Sequence, residues 1–393
     1  MRWNIVCPRR VFYPILFLGI SISWLLVSFA ASQKVKTEVS LYNDILPPAG
    51  EFPLPKNAIE LESLSSSFSA ESKHPLRISA DRKGDIYVSD QKRSSVLIFD
   101  SRGEIKDQIG INKRGKNILD APRCILVSSD IIFIQDLKRK EVASFSLDGK
   151  LLKSFRAPDF TDMEANERGD LFIASAVLDK DKPIIDVYSR EGKKLYSFGD
   201  GWKFAHSLPT LNSCRLALND SGEIFVAFDY FPVVRRYTQR GSLISEWRIP
   251  NDAMEAKEKF NLRRIGEGMA DPTRRFGYMK IICGIRSVND RIYILSTFPR
   301  LEILEMDEEG RILATYWKDH DEIYLAEDFL VQKNGGRLMF YVLRSSLDHS
   351  VDLYHPITKK DPSPINPKVN LARGLREEDP DSERFSHSVR PAA

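Results

Sequence analysis

The stretch PLRISADRKGDIYVSDQKRSSVLIFDSRGEIKDQIG, from Pro75 to Gly110, contains four short apolar runs separated by polar turns. Runs of this kind, rich in Ile, Val and aromatic residues and bounded by Gly or Asp, are typical of β-strands. Gly103 lies in the turn between the last two runs, where a tight hairpin requires the positive φ that glycine adopts without strain. The stretch therefore predicts a four-stranded unit that ends in a hairpin.

The same pattern recurs along the chain. Its apolar pentad occurs as GDIYV from Gly84, DIIFI from Asp130, GDLFI from Gly169, GEIFV from Gly222, DRIYI from Asp290 and GRLMF from Gly336. After each of the first five pentads comes a turn with glycine, at Gly103, Gly149, Gly192, Gly241 and Gly310, whereas the last has LYHP at Leu353–Pro356. Repeats of four short strands are typical of propeller blades. We predict an all-β fold, a six-bladed β-propeller of four-stranded blades over residues 74–357.

The first copy resembles an NHL-type repeat. It has Pro75 before the inner strand, GDIYVSD in the middle and a Phe-Asp-x-x-Gly turn at the end. The resemblance covers about Leu76 to Ile357 and is sharp in the first copy and degraded in the others. It implies a six-bladed propeller of a kind common among exported bacterial proteins, and it implies a fold rather than an activity, because one fold hosts many functions.

The segment 1–32 is predicted to direct the chain to a membrane. MRWNIVCPRR carries three arginines and precedes an uncharged run from Val11 to Ser32, which is long enough for an apolar helix that spans a bilayer. Arginines ahead of such a run place the N-terminus in the cytoplasm and the body outside. Small residues between Ser28 and Ala31 leave open a cleaved signal peptide. Both versions predict an extracytoplasmic protein, either anchored to the membrane by this segment or secreted.

Two further segments flank the propeller. Residues 33–73 are rich in Pro and Ser and predict a stalk, with a strand around Ala58 to Leu64 that closes the ring. Residues 358–393 contain few apolar residues, so they cannot offset the entropy of ordering, and we expect a disordered tail.

An insertion, residues 251–280, separates the fourth and fifth repeats. Asn251 or Asp252 can cap a helix that Gly266 and Gly268 end. The connection between two blades lies on the propeller face that usually carries binding, so we expect this helix to flank the mouth of the central channel. The competing interpretation, which we favour because such connections tolerate variation well, is a variable surface loop.

Composition excludes several classes of function. The net charge of +3 is too small for a nucleic-acid-binding domain, and the four cysteines are too scattered for a zinc cluster or a disulfide scaffold. Cys124, Cys214 and Cys283 each precede a pentad and are expected at the start of inner strands on different blades, unbridged. We expect neither nucleic acid nor a cofactor as a partner.

The sequence contains no recognised catalytic motif. Asp90, Asp136 and Asp229 recur after the second strand of a repeat, where a ring of carboxylates could hold a metal. The competing interpretation, which we favour, is that each aspartate caps the turn that follows it. No metal ligand or catalytic residue is therefore assigned.

The loops after the second strands supply the candidate binding residues. On the first two repeats they carry cations, and on the fourth and fifth they carry aromatics and an arginine. The residues are Lys92, Arg93, Lys138, Arg139, Lys140, Tyr230, Phe231, Phe298 and Arg300. Cations opposite exposed aromatics would suit a protein, a peptide, or an anionic or glycan polymer.

The sequence leaves two functions open. The favoured one is a binding or scaffolding β-propeller of the cell envelope that presents a loop face to its partner. The alternative is a metal-dependent, lactonase-like or lyase-like propeller enzyme, which would need ligands from several blades.

Overall fold

The computed structural model describes residues 52–64, 74–100, 103–111, 114–175, 182–202, 209–271, 277–320, 325–334, 336–344 and 350–357. Strands dominate these ranges. They are β1 Ala58–Leu64, β2 Pro75–Ala80, β3 Ile86–Asp90, β4 Ser95–Phe99, β5 Ile105–Ile109, β6 Pro122–Ser128, β7 Ile131–Asp136, β8 Glu141–Ser146, β9 Leu151–Arg156, β10 Phe160–Ala165, β11 Leu171–Ser175, β12 Ile185–Tyr188, β13 Lys194–Phe198, β14 Cys214–Leu218, β15 Ile224–Phe228, β16 Val233–Tyr237, β17 Leu243–Arg248, β18 Gly284–Val288, β19 Arg291–Ser296, β20 Leu301–Met306, β21 Ile312–Lys318, β22 Ala326–Asn334, β23 Arg337–Arg344 and β24 Val351–Pro356. The helical elements are a short 3-10 turn, Pro209–Asn212, and the helix α1, Asp252–Ala270.

The strands form a β-propeller. Strands β2–β5, β6–β9, β10–β13 and β14–β17 make four separate four-stranded sheets, each in chain order and antiparallel. The remaining strands form one eight-stranded sheet in the order β18-β19-β20-β21-β1-β24-β23-β22. The expected six separate four-stranded sheets are therefore not observed.

The strand β1 is the reason for this difference. Its first half pairs in parallel with β21, Ala58 opposite Thr315, and its second half pairs antiparallel with β24, Leu61 opposite Pro356. One strand thus bonds to the outer strands of two neighbouring units and merges them into a single sheet. It lies in the segment where the sequence suggests a ring-closing strand.

The first strand of each four-stranded unit lines the centre of the molecule. These inner strands contact one another in a closed cycle, from β2 through β6, β10, β14, β18 and β22 back to β2. Apolar clusters fill the spaces between neighbouring units; one holds Ile78 and Val88 against Leu330 and Tyr341. The core is therefore a ring of inter-sheet clusters around a central channel.

The pentads of the sequence repeat form the second strands. β3, β11 and β15 are buried along their whole length, whereas the outer strand β9 is almost entirely exposed. Apolar residues on consecutive positions are buried because both faces of a second strand are covered by adjacent sheets. The glycine of each predicted hairpin turn has a positive φ, for example +86° at Gly241, which confirms those turns.

Membrane attachment is not visible in the structure. In the part of the chain that is described, no helix is long and apolar enough to cross a bilayer. The predicted apolar helix within 1–32 and the predicted tail 358–393 both lie outside the described residues.

Candidate functional site

Loops after the second strands share one propeller face with the connections between units. Leu137 N donates to Ala121 O over 3.0 Å, and Asp229 N donates to Ser213 O over 2.9 Å. The end of the insertion joins the same layer, because Ile281 N donates to Asp229 O over 2.7 Å. We call this side, which carries loops 91–94, 137–140 and 229–232 and the described parts of the insertion, 251–271 and 277–280, the insertion face. The shared side expected from the sequence is confirmed.

Two of the recurrent aspartates, Asp90 and Asp136, accept hydrogen bonds from backbone N–H groups on this face. Asp136 accepts the backbone N–H groups of Asp120, at 2.7 Å, and of Arg139, at 3.2 Å. Asp90 accepts those of His74 and Arg93 in the same way. Turn capping is therefore confirmed for these two residues.

Asp229 departs from the capping pattern. It lies 3.1 Å from Arg215 Nε in an ion pair in which both side chains are buried. Burial raises the pKa of Asp229 to about 6. This carboxylate is used to neutralise an arginine of an inner strand.

A basic cleft lies on the insertion face at the second unit. It has a volume of about 440 Å³ and is lined by Lys138, Arg139, Lys140, Arg156, Ala157 and Pro158. Arg139 is held in place, since its Nε lies 3.0 Å from Asp120 Oδ2 and 3.6 Å from Asp136 Oδ2. Lys138, Lys140 and Arg156 are exposed, and none of them forms an ion pair with a described residue. The cleft therefore presents three cations without an ion pair to a described residue, Lys138 and Lys140 on a loop that Arg139 fixes and Arg156 at the end of β9.

The other predicted cations do not join this cleft. Lys92 is exposed on the first unit, and Arg93 Nε lies 3.8 Å from the buried carboxylate of Asp90. Neither lines the cleft. The sequence therefore anticipated the basic loops, but of the two only the loop 137–140 contributes its cations to the cleft.

The exposure expected for the aromatic half of the site is not observed. Phe231 is 4% exposed and packs 5.5 Å from the ring of Trp202, and Phe298 is 9% exposed. Tyr230 is half-buried, and its backbone O accepts from Asn261 Nδ2. These rings fill space beneath the insertion and between units, so they contribute to the core rather than to a recognition surface.

Arg300, the remaining predicted residue, is also internal. It is 6% exposed, its Nε lies 3.2 Å from Glu302, and its guanidinium lies 6.0 Å from the centre of the Trp317 ring. The contacts with Glu302 and Trp317 lie within the strands β18–β21. The guanidinium also donates to the backbone carbonyl of Phe52 in the N-terminal segment, so its charge is neutralised inside the protein.

Hydrogen bonds of buried side chains hold the helix of the insertion against the propeller. Asn251 caps α1 by accepting from Met254 N over 3.0 Å, and the helix continues to Ala270 instead of ending at Gly266 and Gly268. The fully buried Asn261 donates to the carbonyls of Tyr230 and Met279 and accepts from Met279 N.

The buried Lys257 holds the middle of the same helix. Its Nζ donates to Ser296 Oγ and to Thr297 O, each over 2.9 Å, and burial lowers its pKa to about 8. At the end of the insertion, Lys280 Nζ lies 3.5 Å from Glu327 on β22. The insertion thus reaches the channel end, as the interpretation of a flanking helix requires and a loose surface loop would not.

Charged side chains line the central channel, a feature that the sequence interpretation missed. They are Arg77 on β2, Arg123 on β6, Asp162 and Glu164 on β10, Arg215 on β14, Arg286 on β18, and Glu327 and Asp328 on β22. Arg77 and Arg215 each interrupt a largely apolar inner strand, in PLRISA and CRLAL, and this interruption was the available signal. Arg77 is 4% exposed, and its Nη2 donates to Thr161 O over 3.0 Å, so this side chain links β2 to β10 past the intervening β6.

Burial perturbs the carboxyl groups of β10. The pKa of Asp162 is raised to about 6 and that of Glu164 to about 8, in both cases because burial penalises the charged form. Among the described residues, no group of three or more His, Cys, Asp or Glu side chains is arranged to hold a metal ion.

The cysteines are placed as the sequence predicts. Cys124 lies in β6, Cys214 begins β14, and Cys283 immediately precedes β18. All three are buried and free. Burial raises the pKa of the thiols of Cys124, to about 11, and of Cys214, which makes both poor nucleophiles.

Comparisons with known proteins support the propeller fold and nothing more specific. No protein-family model matches the sequence, one for the NHL repeat included, and no curated protein matches it. Solved structures do match. A member of the DUF4221 family from Bacteroides vulgatus is 11% identical over 77% of this chain and 99% of its own, with a TM-score of 0.53. A candidate exported protein from Bacteroides fragilis is 14% identical over 78% of this chain and 97% of its own, with a TM-score of 0.51.

Similarity to an enzyme of the same architecture is weaker. A virginiamycin B lyase from Staphylococcus aureus is 14% identical over 76% of this chain and 88% of its own, with a TM-score of 0.45. At this level of similarity the comparison supports no statement about activity. The chain has a β-propeller fold, which the similarity to the two Bacteroides structures supports.

Proposed function

We propose that this chain is an extracytoplasmic binding or scaffolding β-propeller that captures an anionic partner on its insertion face. The observation that carries the proposal is the basic cleft. Lys138, Lys140 and Arg156 converge on about 440 Å³ of accessible space without an ion pair to a described residue. The partner class is an acidic segment of a protein or peptide, or an anionic glycan polymer.

Rigidity of the cleft supports this role. The loop 137–140 is fixed at both ends, because Leu137 N donates to Ala121 O and Ala157 N donates to Lys140 O. Asp136 and Asp120 hold Arg139 between them. A loop that is already ordered loses little conformational freedom on binding, so more of the electrostatic attraction is retained as affinity.

We also propose that the propeller has six blades. The eight-stranded sheet then consists of a fifth blade, β18–β21, and a sixth blade, β22–β24 with β1 as its outermost strand. The closed cycle of six inner strands supports this count.

The extracytoplasmic location rests on the N-terminal segment. Three arginines followed by the apolar run Val11 to Ser32 favour export of everything after them. Fractionation of cells distinguishes the two versions. A retained anchor predicts that the full chain stays with membranes in high salt, whereas a mature N-terminus near Ala31, read by mass spectrometry, would leave only the secreted form.

Charge reversal tests the binding proposal. The variant Lys138→Glu, Lys140→Glu, Arg156→Glu of the full chain should lose capture of polyglutamate and of a polyuronate, which wild type should retain at low salt and release as salt rises. The matched control is Lys150→Glu, Lys193→Glu, Arg240→Glu, which makes the same charge change on exposed turns of the opposite face. Equal capture by the two triple variants would refute the cleft as the binding site.

A further inference from the structure

A cavity opens from the central channel on the side opposite the insertion face. It has a volume of about 310 Å³ and lies at the ends of the inner strands, where Asp162, Glu164, Arg286, Asp328 and Ser79 contribute its polar lining. It shares Ala80, Asp81, Val127 and Glu164 with a wider mouth of about 610 Å³. The volume is at the lower end of the range for small-molecule sites, roughly 300–1,000 Å³. A small solute could therefore enter from this face and reach the inner strands.

Two of the charged side chains in this cavity, Arg286 and Asp328, neutralise each other. Arg286 Nη2 lies 2.5 Å from Asp328 Oδ1, and its Nη1 donates to Ile285 O over 2.8 Å. The other oxygen of Asp328 accepts from Ile78 N over 3.2 Å. The Arg286–Asp328 pair is thus internally compensated and leaves little charge for a ligand.

The two carboxylates of β10 are not compensated in this way. Asp162 is 8% exposed; its Oδ2 accepts from Leu216 N over 3.0 Å, while its Oδ1 has no hydrogen-bond donor among the described residues. Glu164 lies two residues further along the same strand, so its side chain points to the same side, and it forms no ion pair with any residue of the described ranges. Both carboxylates therefore offer the cavity acceptor oxygens that no described residue uses, and hydrogen bonds from a charged donor to such oxygens are strong.

We infer that this cavity binds a small organic cation, one carrying a primary ammonium group, between Asp162 Oδ1 and the carboxylate of Glu164. An ammonium group brings three donors and a compact positive charge. An organic cation fits better than a bare metal ion, because the carboxylates in the described part of the chain are not grouped as metal ligands and the cavity is far larger than one ion. This site lies on the other face from the basic cleft and does not rest on the proposed function.

Binding should be linked to protonation of Glu164. Burial holds the pKa of this carboxyl at about 8, so near pH 7 most molecules carry the neutral form. A bound ammonium ion favours the charged form and should release a proton. The other charged groups that face Glu164 are Asp162, Arg286 and Asp328, with Asp81, Arg82, Glu167, Arg168 and Asp220 at the mouth.

Calorimetry on the full chain tests the inference with diaminobutane as the probe and butanediol, its neutral counterpart, as the control ligand. We expect saturable binding of diaminobutane and none of butanediol. Glu164→Gln should weaken binding at least tenfold, and Asp162→Asn, which keeps an acceptor for Leu216 N, should weaken it as well. Glu191→Gln, the same change as at Glu164 but on an exposed turn, should leave binding unchanged.

The pH dependence separates this site from a nonspecific acidic surface. Affinity should rise between pH 6 and pH 8 as Glu164 ionises, and at pH 7 the binding enthalpy should vary with the ionisation enthalpy of the buffer, because a proton is released. In Glu164→Gln the proton release at pH 7 should be largely lost, and the affinity should change mainly near pH 6, where Asp162 titrates. The inference is overturned if diaminobutane does not bind wild type at millimolar concentration, if butanediol binds equally, if Glu164→Gln binds as wild type does, or if calcium displaces diaminobutane stoichiometrically.

Discussion

Replacing Leu61 by alanine tests whether β1 holds the propeller closed. Leu61 is fully buried, and it packs in a cluster that joins Tyr316 of β21 to Tyr354 of β24, the two strands with which β1 pairs. A truncated leucine at a fully enclosed position costs about 2–5 kcal/mol, the sum of lost burial and the cavity left behind. Because residues from two neighbouring units surround this side chain and cannot both collapse onto the gap, we expect a value of about 3 kcal/mol or more.

The matched control is Leu64→Ala on the same strand. Leu64 is 36% exposed, so the same chemical change there removes much less buried surface and should cost about 1 kcal/mol or less. The measurement is the midpoint of urea unfolding of the full chain, followed by tryptophan fluorescence, with unchanged slope as the condition for comparing the two. Equal shifts for Leu61→Ala and Leu64→Ala would show that closure by β1 does not contribute to stability and would refute the reasoning.

Two further stability predictions follow from single contacts. Asn261→Ala should cost about 2–4 kcal/mol and open α1 to limited proteolysis, because three buried backbone groups lose their partner, whereas Leu262→Ala on the exposed side of the helix should do neither. Gly84→Ala and Gly241→Ala should both destabilise, since the φ values are +87° and +86°, by about 1 kcal/mol at Gly84, where a new Cβ meets nothing within 4 Å. At Gly241 the new Cβ would lie 2.5 Å from Phe198, so chemical denaturation should show an additional loss of about 1–3 kcal/mol; equal losses at the two glycines would contradict this.

The repeat made most of the fold predictable. Each predicted pentad forms a second strand, from β3 at Ile86–Asp90 to β23 at Arg337–Arg344, because a run that is apolar at every position can be satisfied only where both faces are covered. The merging of two units by β1 could not be predicted, since it depends on which outer strands lie beside Ala58–Leu64 in space. Nothing in the local sequence distinguishes pairing with one outer strand from pairing with two.

The exposure of the charged residues of the candidate site could be predicted from the sequence, whereas the burial of its aromatic residues could not. Lys138 and Lys140 lie in a loop, and charged loop residues are rarely buried. Phe231 and Phe298 also follow a second strand, but an aromatic residue beside a strand end can point outward or into the space between two sheets. Local sequence does not settle this choice, and the structure places both rings inside.

The channel residues show why a charge on an inner strand does not by itself mark a binding site. An inner strand has one edge without a partner strand, so some of its backbone N–H groups must be satisfied by other means. Side chains from the neighbouring sheet supply them: Asp328 accepts from Ile78 N, and Asp162 accepts from Leu216 N. Removing such a carboxylate leaves a buried backbone N–H group without its acceptor, so the stability of the variant must be measured before a loss of binding is interpreted. The side chain of Glu164 forms no hydrogen bond or ion pair with a residue of the described ranges, and Glu164 is therefore the residue at which loss of binding can be separated from loss of the fold.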